Sequence, residues 1–356
     1  MRVAIRVDSS PDVGSGHLMR CLALAAALRE IGVNATFVMR NHDGNLNQRV
    51  VDSGFTLRSL PLHHAEDQRN LPRLGADVYT DAEETVDFLN DYRPNWLVVD
   101  HYSLDWHWES AVRIAGMRIL VIDDLANRAH DCDALLDQNF PPVSSCRYEN
   151  LVPSGCVLYL GPQFALLNPN FALHRVQLMQ NPGLKRDGIV VSFGSSNILS
   201  LAEMTCEALN HPSLQEQQVN LVLGADPANF EDVLHRFSNR PKTQVMGPQP
   251  HLASLMSSAR LAIGAGGSTI WERRCLGLAS VVVSIAPNQE HLCRVLGDLG
   301  IINYLGALET ASSDLIRVAC EDELMKAQPL IASEATSPYD ADGRGANRIA
   351  QFMILE

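Results

Sequence analysis

Short apolar runs in this chain end in small polar turns that lead straight into helical patterns, and this alternation constrains the fold more than any other feature. "VAIRVD" reads as a strand, and "HLMRCLALAAALREIG" as a helix closed by Gly32. "NATFVMR" is the next strand, "TVDFLNDY" a helix, and "WLVVD" a strand after Pro94. "WHWESAVRIAG" predicts a helix ending at Gly116, before the strand "RILVIDD". "DALLDQ" and "CVLYLG" are shorter strand candidates. The rhythm stops between about Asn168 and Asp187, where prolines, glycines and basic residues gather, and then restarts from "GIVVSFG" to "ASVVVSIA". Strands alternating with helices of this length form parallel β-α-β units. Runs apolar on both faces suit sheets covered by helices on each side.

The expected fold class is therefore α/β, with two doubly wound Rossmann-like domains. The expected boundaries are an N-terminal domain over 1–170, a hinge over 171–187 and a C-terminal domain over 188–335. A C-terminal loop and helix follows over 336–356; packing back on the first domain is one placement for it, which the sequence alone does not decide. A chain of 356 residues, 46% of them hydrophobic, can fill two cores. Ligands of such sheets sit beyond the carboxyl ends of the strands, which predicts an interdomain cleft lined by the residues that follow strands.

Charge and cysteine usage narrow the function classes. A net charge of -13 disfavours a nucleic-acid partner. It leaves room for a phosphate-bearing small molecule, because backbone amides bind phosphate without side-chain charge. None of the eight cysteines forms a C-x-x-C pair, so a structural zinc is not expected and free thiols in a cytoplasmic protein are. The N-terminal run carries arginines and lacks the apolar stretch of a signal peptide, and nothing reaches the length of a membrane span. A monomer without membrane insertion is the expectation.

Four clusters follow strands. In "GSGH", Gly14 to His17, small residues allow close approach to the backbone and a helix start follows. A histidine in a first turn feels a positive potential that disfavours imidazolium. A cap by Ser15 or Asp12, with His17 as an ordinary first-turn residue, explains the same residues. In "GAGGSTIWE", Gly266 and Gly267 permit a phosphate to approach, while Ser268 and Thr269 add hydroxyls. Glu272 there is placed to accept from ribose hydroxyls, although Thr269-x-x-Glu272 is also a capping box. "FGSSN" is a second small turn, with Gly194 and Ser195, for which an ordinary N-cap is an equal reading. "APNQEH" offers Asn288 and Gln289 to a polyhydroxylated or amide-bearing ligand, while Glu290 reads as a helix cap. "VVDHYSLD" adds Asp100, His101 and Tyr102 at a strand end. "IDDLANRAHDCD" gathers Asp123, Asp124, His130, Asp131 and Asp133, in which loop solvation is favoured over metal binding because no ligand spacing is recognised.

Taken in order, "RVDSSPDVGSGHLMRCLALA", "VVDHYSLD", "IDDLANRAHDCDALLDQN", "GPQFALLNPNF", "SFGSSN" and "GAGGSTIWERRCLGLASVVVSIAPNQE" resemble the UDP-2,4-diacetamido-2,4,6-trideoxy-β-L-altropyranose hydrolases of pseudaminic acid biosynthesis. The likeness spans most of the chain. It implies the two-domain GT-B architecture, similar to the UDP-GlcNAc transferase of peptidoglycan synthesis. It also implies hydrolysis of a UDP-sugar to UDP and the free diacetamido-trideoxy-L-altrose, without metal or cofactor. By the same resemblance His17 is the general base. Gly14, Gly16, Arg20, Tyr102, Asn288 and Gln289 then line the sugar. Gly194, Ser195, Met246, Gly266, Gly267, Ser268, Thr269 and Glu272 hold the nucleotide. "FGSSN" departs from the Gly-Gly-Ser/Thr-Asp-like turn common in that family, which bears on the phosphate contacts around Ser195. The rival readings are a GT-B glycosyltransferase with a UDP-sugar donor and a noncatalytic nucleotide-sugar sensor. UDP release without an acceptor separates the hydrolase from both.

Overall fold

The structure is a computed structural model that describes residues 1–63, 74–139, 147–194, 198–224, 229–326 and 337–355. The chain divides into two compact units. The first comprises Met1–Pro169, Ser337–Tyr339 and Arg344–Glu356; the second comprises Asn170–Thr336 and Asp340–Gly343.

The first unit is built on β1 (Arg2–Val7), β2 (Asn34–Arg40), β3 (Thr56–Leu60), β4 (Trp96–Asp100), β5 (Arg118–Ile122), β6 (Ala134–Asp137) and β7 (Val157–Leu160). They form a parallel sheet in the order β3-β2-β1-β4-β5-β6-β7. Its helices are α1 (Gly16–Glu30), α2 (Asn47–Asp52), α3 (Val78–Tyr92) and α4 (Trp106–Val112). The second unit holds α5 (Pro169–Gln180) at its start, then β8 (Ile189–Ser192), α6 (Leu199–Leu209), β9 (Val219–Val222), α7 (Phe230–Ser238), β10 (Thr243–Met246) and α8 (Ala253–Ser258). It continues with β11 (Leu261–Ala265), α9 (Thr269–Cys275), β12 (Ala279–Ser284), α10 (Pro287–Asp298), β13 (Asn303–Ala307) and α11 (Ser313–Met325). Its parallel sheet runs β10-β9-β8-β11-β12-β13. Both sheets thus reverse strand order once near the middle, between β1 and β4 and between β8 and β11. That reversal is where ligands bind in open α/β sheets.

Burial explains the apolar runs. Every residue of β4 and of β11 is buried, as expected for central parallel strands covered on both faces. Helix α1 is apolar on most sides because it is covered twice. Its Leu24 and Leu28 share one core with Val3 and Ile5 of β1 and with Ile349 and Met353 of α12 (Gly345–Leu355). Trp96 Nε1 donates to the Met353 carbonyl at 2.9 Å, tying this last helix to β4.

Charge is also buried in the first core. Arg6 lies inside β1 with no exposure and meets Asp8 and Asp81, each at 2.6 Å. Asp81, on α3, also takes Arg40 Nη2 at 2.6 Å and Trp108 Nε1 at 3.0 Å. Burial alone would raise the Asp81 carboxyl, but Arg6 and Arg40 hold it below its ordinary value.

One reading of the sequence is corrected in detail, and two elements went unread. The segment 171–187 read as a hinge is helical as far as Gln180, because Phe171, Arg175 and Leu178 form a buried stripe. The helix expected to reach Gly116 ends at Val112, where Arg113 turns to extended backbone and its guanidinium is anchored on Asp131 and Asp133. Strand β3, an edge strand with a mostly polar and exposed pattern, carries no apolar run to reveal it.

Candidate functional site

In the first unit, the turn after β1 and the end of β4 bring the key side chains together, on either side of the strand-order reversal. Gly14 has φ +81, a conformation that favours glycine, and its N–H returns to the Ser10 carbonyl at 2.8 Å. Ser15 holds the cap position of α1 in α conformation, and its side chain makes no capping bond. Gly16 opens the helix, and His17 follows, 7% exposed.

His17 Nδ1 lies 2.5 Å from Asp100 Oδ1, at the last residue of β4. An ionised carboxylate only accepts, so Nδ1 donates and carries the proton. In the neutral ring, Nε2 is then the nitrogen with the lone pair. Arg20, one turn along α1, grips the same carboxylate with Nε and Nη2, both at 2.6 Å. Burial alone would raise Asp100, but Arg20 and then His17 hold it well below the usual carboxylate range. Arg20 Nη1 reaches Asp124 Oδ2 at 3.1 Å, and Tyr102 donates to Asp124 Oδ1 at 2.7 Å. The Tyr102 ring stands edge-on to His17, with ring centres 4.5 Å apart.

The neighbours of this corner are committed elsewhere. His101 turns inward: its Nδ1 accepts from Ser103 N–H at 3.1 Å, its Nε2 lies 3.5 Å from Asp8, and burial lowers it to about 4. The acids of "IDDLANRAHDCD" are likewise engaged. Asp123 takes Arg128, Asp131 and Asp133 take Arg113, and His130 pairs with Glu109. Among the described residues no group of three or more His, Cys, Asp or Glu is arranged to hold a metal ion.

In the second unit the nucleotide candidates also fall at strand ends. Gly194 follows β8 with φ +92, and Met246 closes β10, half-buried. Ser195 lies outside the described residues. Gly266, Gly267 and Ser268 follow β11, and Thr269 opens α9. The capping box does not form, because Ser268 rather than Thr269 holds the cap position and makes no side-chain cap bond. Glu272 is half-buried one turn on, and burial pushes its carboxyl up to about 7 against the pull of Arg273. The glycines have two different causes. A Cβ on Gly266 would overlap Cys293 Sγ of α10, so packing alone excludes a side chain there. At Gly267 the nearest atom to a Cβ would be Gln289 Nε2 at 3.8 Å, so that glycine faces room. Asn288 is exposed in the first turn of α10. Gln289 Oε1 accepts the Ile285 N–H at 3.0 Å, which fixes the turn between β12 and α10.

The structure thus unites His17, Arg20 and Tyr102 through two carboxylates, Asp100 and Asp124, whose roles the sequence did not reveal. Both were visible as acids after strands. Their partners were not, since they lie 83 and 22 residues away.

Fold and strand order together define the two-domain GT-B-like α/β class. The chain is similar over its full length to the crystal structure of Acinetobacter baumannii MurG, with TM-score 0.65 and 16% identity, covering 99% of that chain. It is similar to Arabidopsis thaliana UGT89C1 complexed with UDP-L-rhamnose, with TM-score 0.66, 14% identity and coverage of 99% and 98% of the two chains. Among curated proteins it is 22% identical, over 84% of this chain and 97% of the relative, to the UDP-2,4-diacetamido-2,4,6-trideoxy-beta-L-altropyranose hydrolase of Campylobacter jejuni. It is 25% identical to the spore coat polysaccharide biosynthesis protein SpsG of Bacillus subtilis, over 62% of this chain and 64% of that protein. An uncharacterized Methanocaldococcus jannaschii protein matches at 21% identity over 80% of this chain, which spans 55% of that relative's length. No family model matches the chain. The resemblance read from the motifs agrees with the Campylobacter relative.

Proposed function

We propose that this chain hydrolyses a UDP-sugar at its anomeric carbon, with UDP-2,4-diacetamido-2,4,6-trideoxy-β-L-altropyranose as substrate and His17 as general base. The observation that carries the reading is the 2.5 Å contact of His17 Nδ1 with Asp100, which orients the ring so that, when neutral, Nε2 is its lone-pair acceptor. Water gives a proton to Nε2 as its oxygen attacks the anomeric carbon, and the bond to the UDP oxygen breaks. Attack opposite UDP inverts that centre. The imidazolium formed is stabilised by the Asp100 charge at its other nitrogen, the arrangement that orients histidine bases in hydrolases generally. The proposal assigns the uridine and diphosphate to Met246, Gly194, Ser195, Gly266 to Thr269 and Glu272, and the sugar to Gly14, Gly16, Tyr102, Asn288 and Gln289. Arg20 serves as the clamp on Asp100. No step uses a metal; the acids nearest His17 are already paired with Arg20. The curated Campylobacter relative supports the choice of sugar by its name alone.

A second reading shares the same base. A histidine–aspartate pair removes a proton from an acceptor hydroxyl as readily as from water, which would make the chain a glycosyltransferase. Incubating the UDP-sugar with enzyme and no acceptor decides between them. Sustained release of UDP is the expected result, and UDP release that requires an added hydroxyl acceptor would favour transfer.

A further inference from the structure

A tyrosine hydroxyl has one hydrogen to give and lone pairs to accept with. The Tyr102 hydrogen is already spent, on Asp124 Oδ1 at 2.7 Å. The other Asp124 oxygen is pinned by Arg20 Nη1 and by Asn139 Nδ2, both at 3.1 Å. The Asp124 side chain is only 11% exposed, and its backbone carbonyl accepts from Arg147 at 2.9 Å. Toward anything else, the Tyr102 oxygen therefore offers only lone pairs. In its neutral form His17 likewise offers a lone pair at Nε2, because Asp100 holds the Nδ1 side of the ring. One guanidinium, that of Arg20, bridges both carboxylates. The corner thus presents two acceptors whose polarity is set from behind by two acids.

We propose that Asp124 is a positioning residue: acting through Tyr102, it turns the phenol oxygen into an acceptor for a donor hydrogen in the sugar subsite. Two groups of the proposed reaction supply such a hydrogen, the second O–H of the attacking water and the N–H of an acetamido substituent. This inference rests on the UDP-sugar hydrolase reading for its ligand, though not for its geometry. Burial, and then the Asp124 charge, push the phenol well above its ordinary value, so Tyr102 keeps its proton and is no competing base.

The test uses the full chain with four changes: Tyr102→Phe, Asp124→Leu, Asp124→Asn, and Asp124→Leu combined with Tyr102→Phe. Tyr102→Phe and Asp124→Leu are each expected to lower kcat/KM by ~10- to 100-fold, the scale of a misplaced reacting group. The double variant is expected to be no slower than the slower single one, because one interaction is removed either way. Asp124→Asn, which keeps an acceptor oxygen, is expected to retain more activity than Asp124→Leu. A loss confined to kcat identifies water as the donor, and a loss in KM identifies the acetamido N–H. Tyrosine labelled with ¹³C at Cζ gives a readout independent of turnover. The resonance missing in Tyr102→Phe should move in Asp124→Leu and move less in Asp124→Asn. Losses that multiply in the double variant, or a Tyr102 resonance unmoved by Asp124→Leu, overturn the proposal. If the unaltered chain releases no UDP from this substrate, the hydrolase reading fails, while the resonance still decides the polarity of Tyr102.

Discussion

A histidine works as a general base only when one ring nitrogen keeps a lone pair facing the proton donor. In the proposed reaction Asp100 orients His17 to meet that condition, and two variants separate base from orienter. His17→Asn is expected to lose ~10²–10⁴-fold in kcat while melting near the parent temperature. Asp100→Asn is expected to lose about 100-fold or more in kcat with a smaller change in KM, because the amide can donate to Nδ1 and so favour the wrong tautomer. Asp100→Asn should also lower the melting temperature, since among the described residues Arg20 then keeps Asp124 alone as an anionic partner. The helix-start potential read from "GSGH" is still present, but it acts beside a stronger local partner that no spacing could disclose. Glu272 supplies a pH test. With its carboxyl pushed up to about 7, it ionises as pH rises through neutrality, which in the proposed ribose site would make it a better acceptor for the hydroxyls. UDP affinity measured by calorimetry should rise from pH 6 to pH 8, and the Glu272 share of that rise should vanish in Glu272→Gln. A profile identical in both proteins would remove Glu272 from the ribose site.

Among the elements, central strands and long helices were readable because burial on both faces forces unbroken apolar runs. Strand β4 and helix α1 show this plainly. Edge strands β3 and β13 were not readable, having too few buried positions to leave a pattern. The buried ion network was also invisible. Arg6 looked like an interruption of an apolar run, whereas it is the anchor for Asp81 of α3. Removing one member of a buried pair strands the other, at a cost of about 3–5 kcal/mol. Asp81→Ala is therefore expected to lower stability strongly, as read by urea unfolding at pH 7. Because the folded-state pKa of Asp81 is depressed, its stabilisation is present above about pH 4, the unfolded value, and fades as pH falls through the lower folded value. The parent should lose stability below pH 4 more steeply than Asp81→Ala; parallel acid profiles would show that Asp81 contributes little.

For the whole molecule, the sequence carried the architecture further than the chemistry. Two rounds of strand–helix alternation foretold two parallel sheets, and the motifs at strand ends marked both strand-order reversals. Part of the motif evidence had another cause: Gly266 is glycine because Cys293 leaves no space, whatever binds nearby. What spacing could not convey was which acid stands behind which base, since Asp100 and Asp124 reach the His17 corner from two other strand ends. The central claim is that water, activated by His17, attacks the sugar carbon rather than the phosphate. Turnover of UDP-2,4-diacetamido-2,4,6-trideoxy-β-L-altropyranose in ¹⁸O-water, with no acceptor present and the products weighed by mass spectrometry, tests it directly. The predicted result is one ¹⁸O in the released sugar and none in UDP. Label in UDP, or no turnover without an acceptor, would contradict the account.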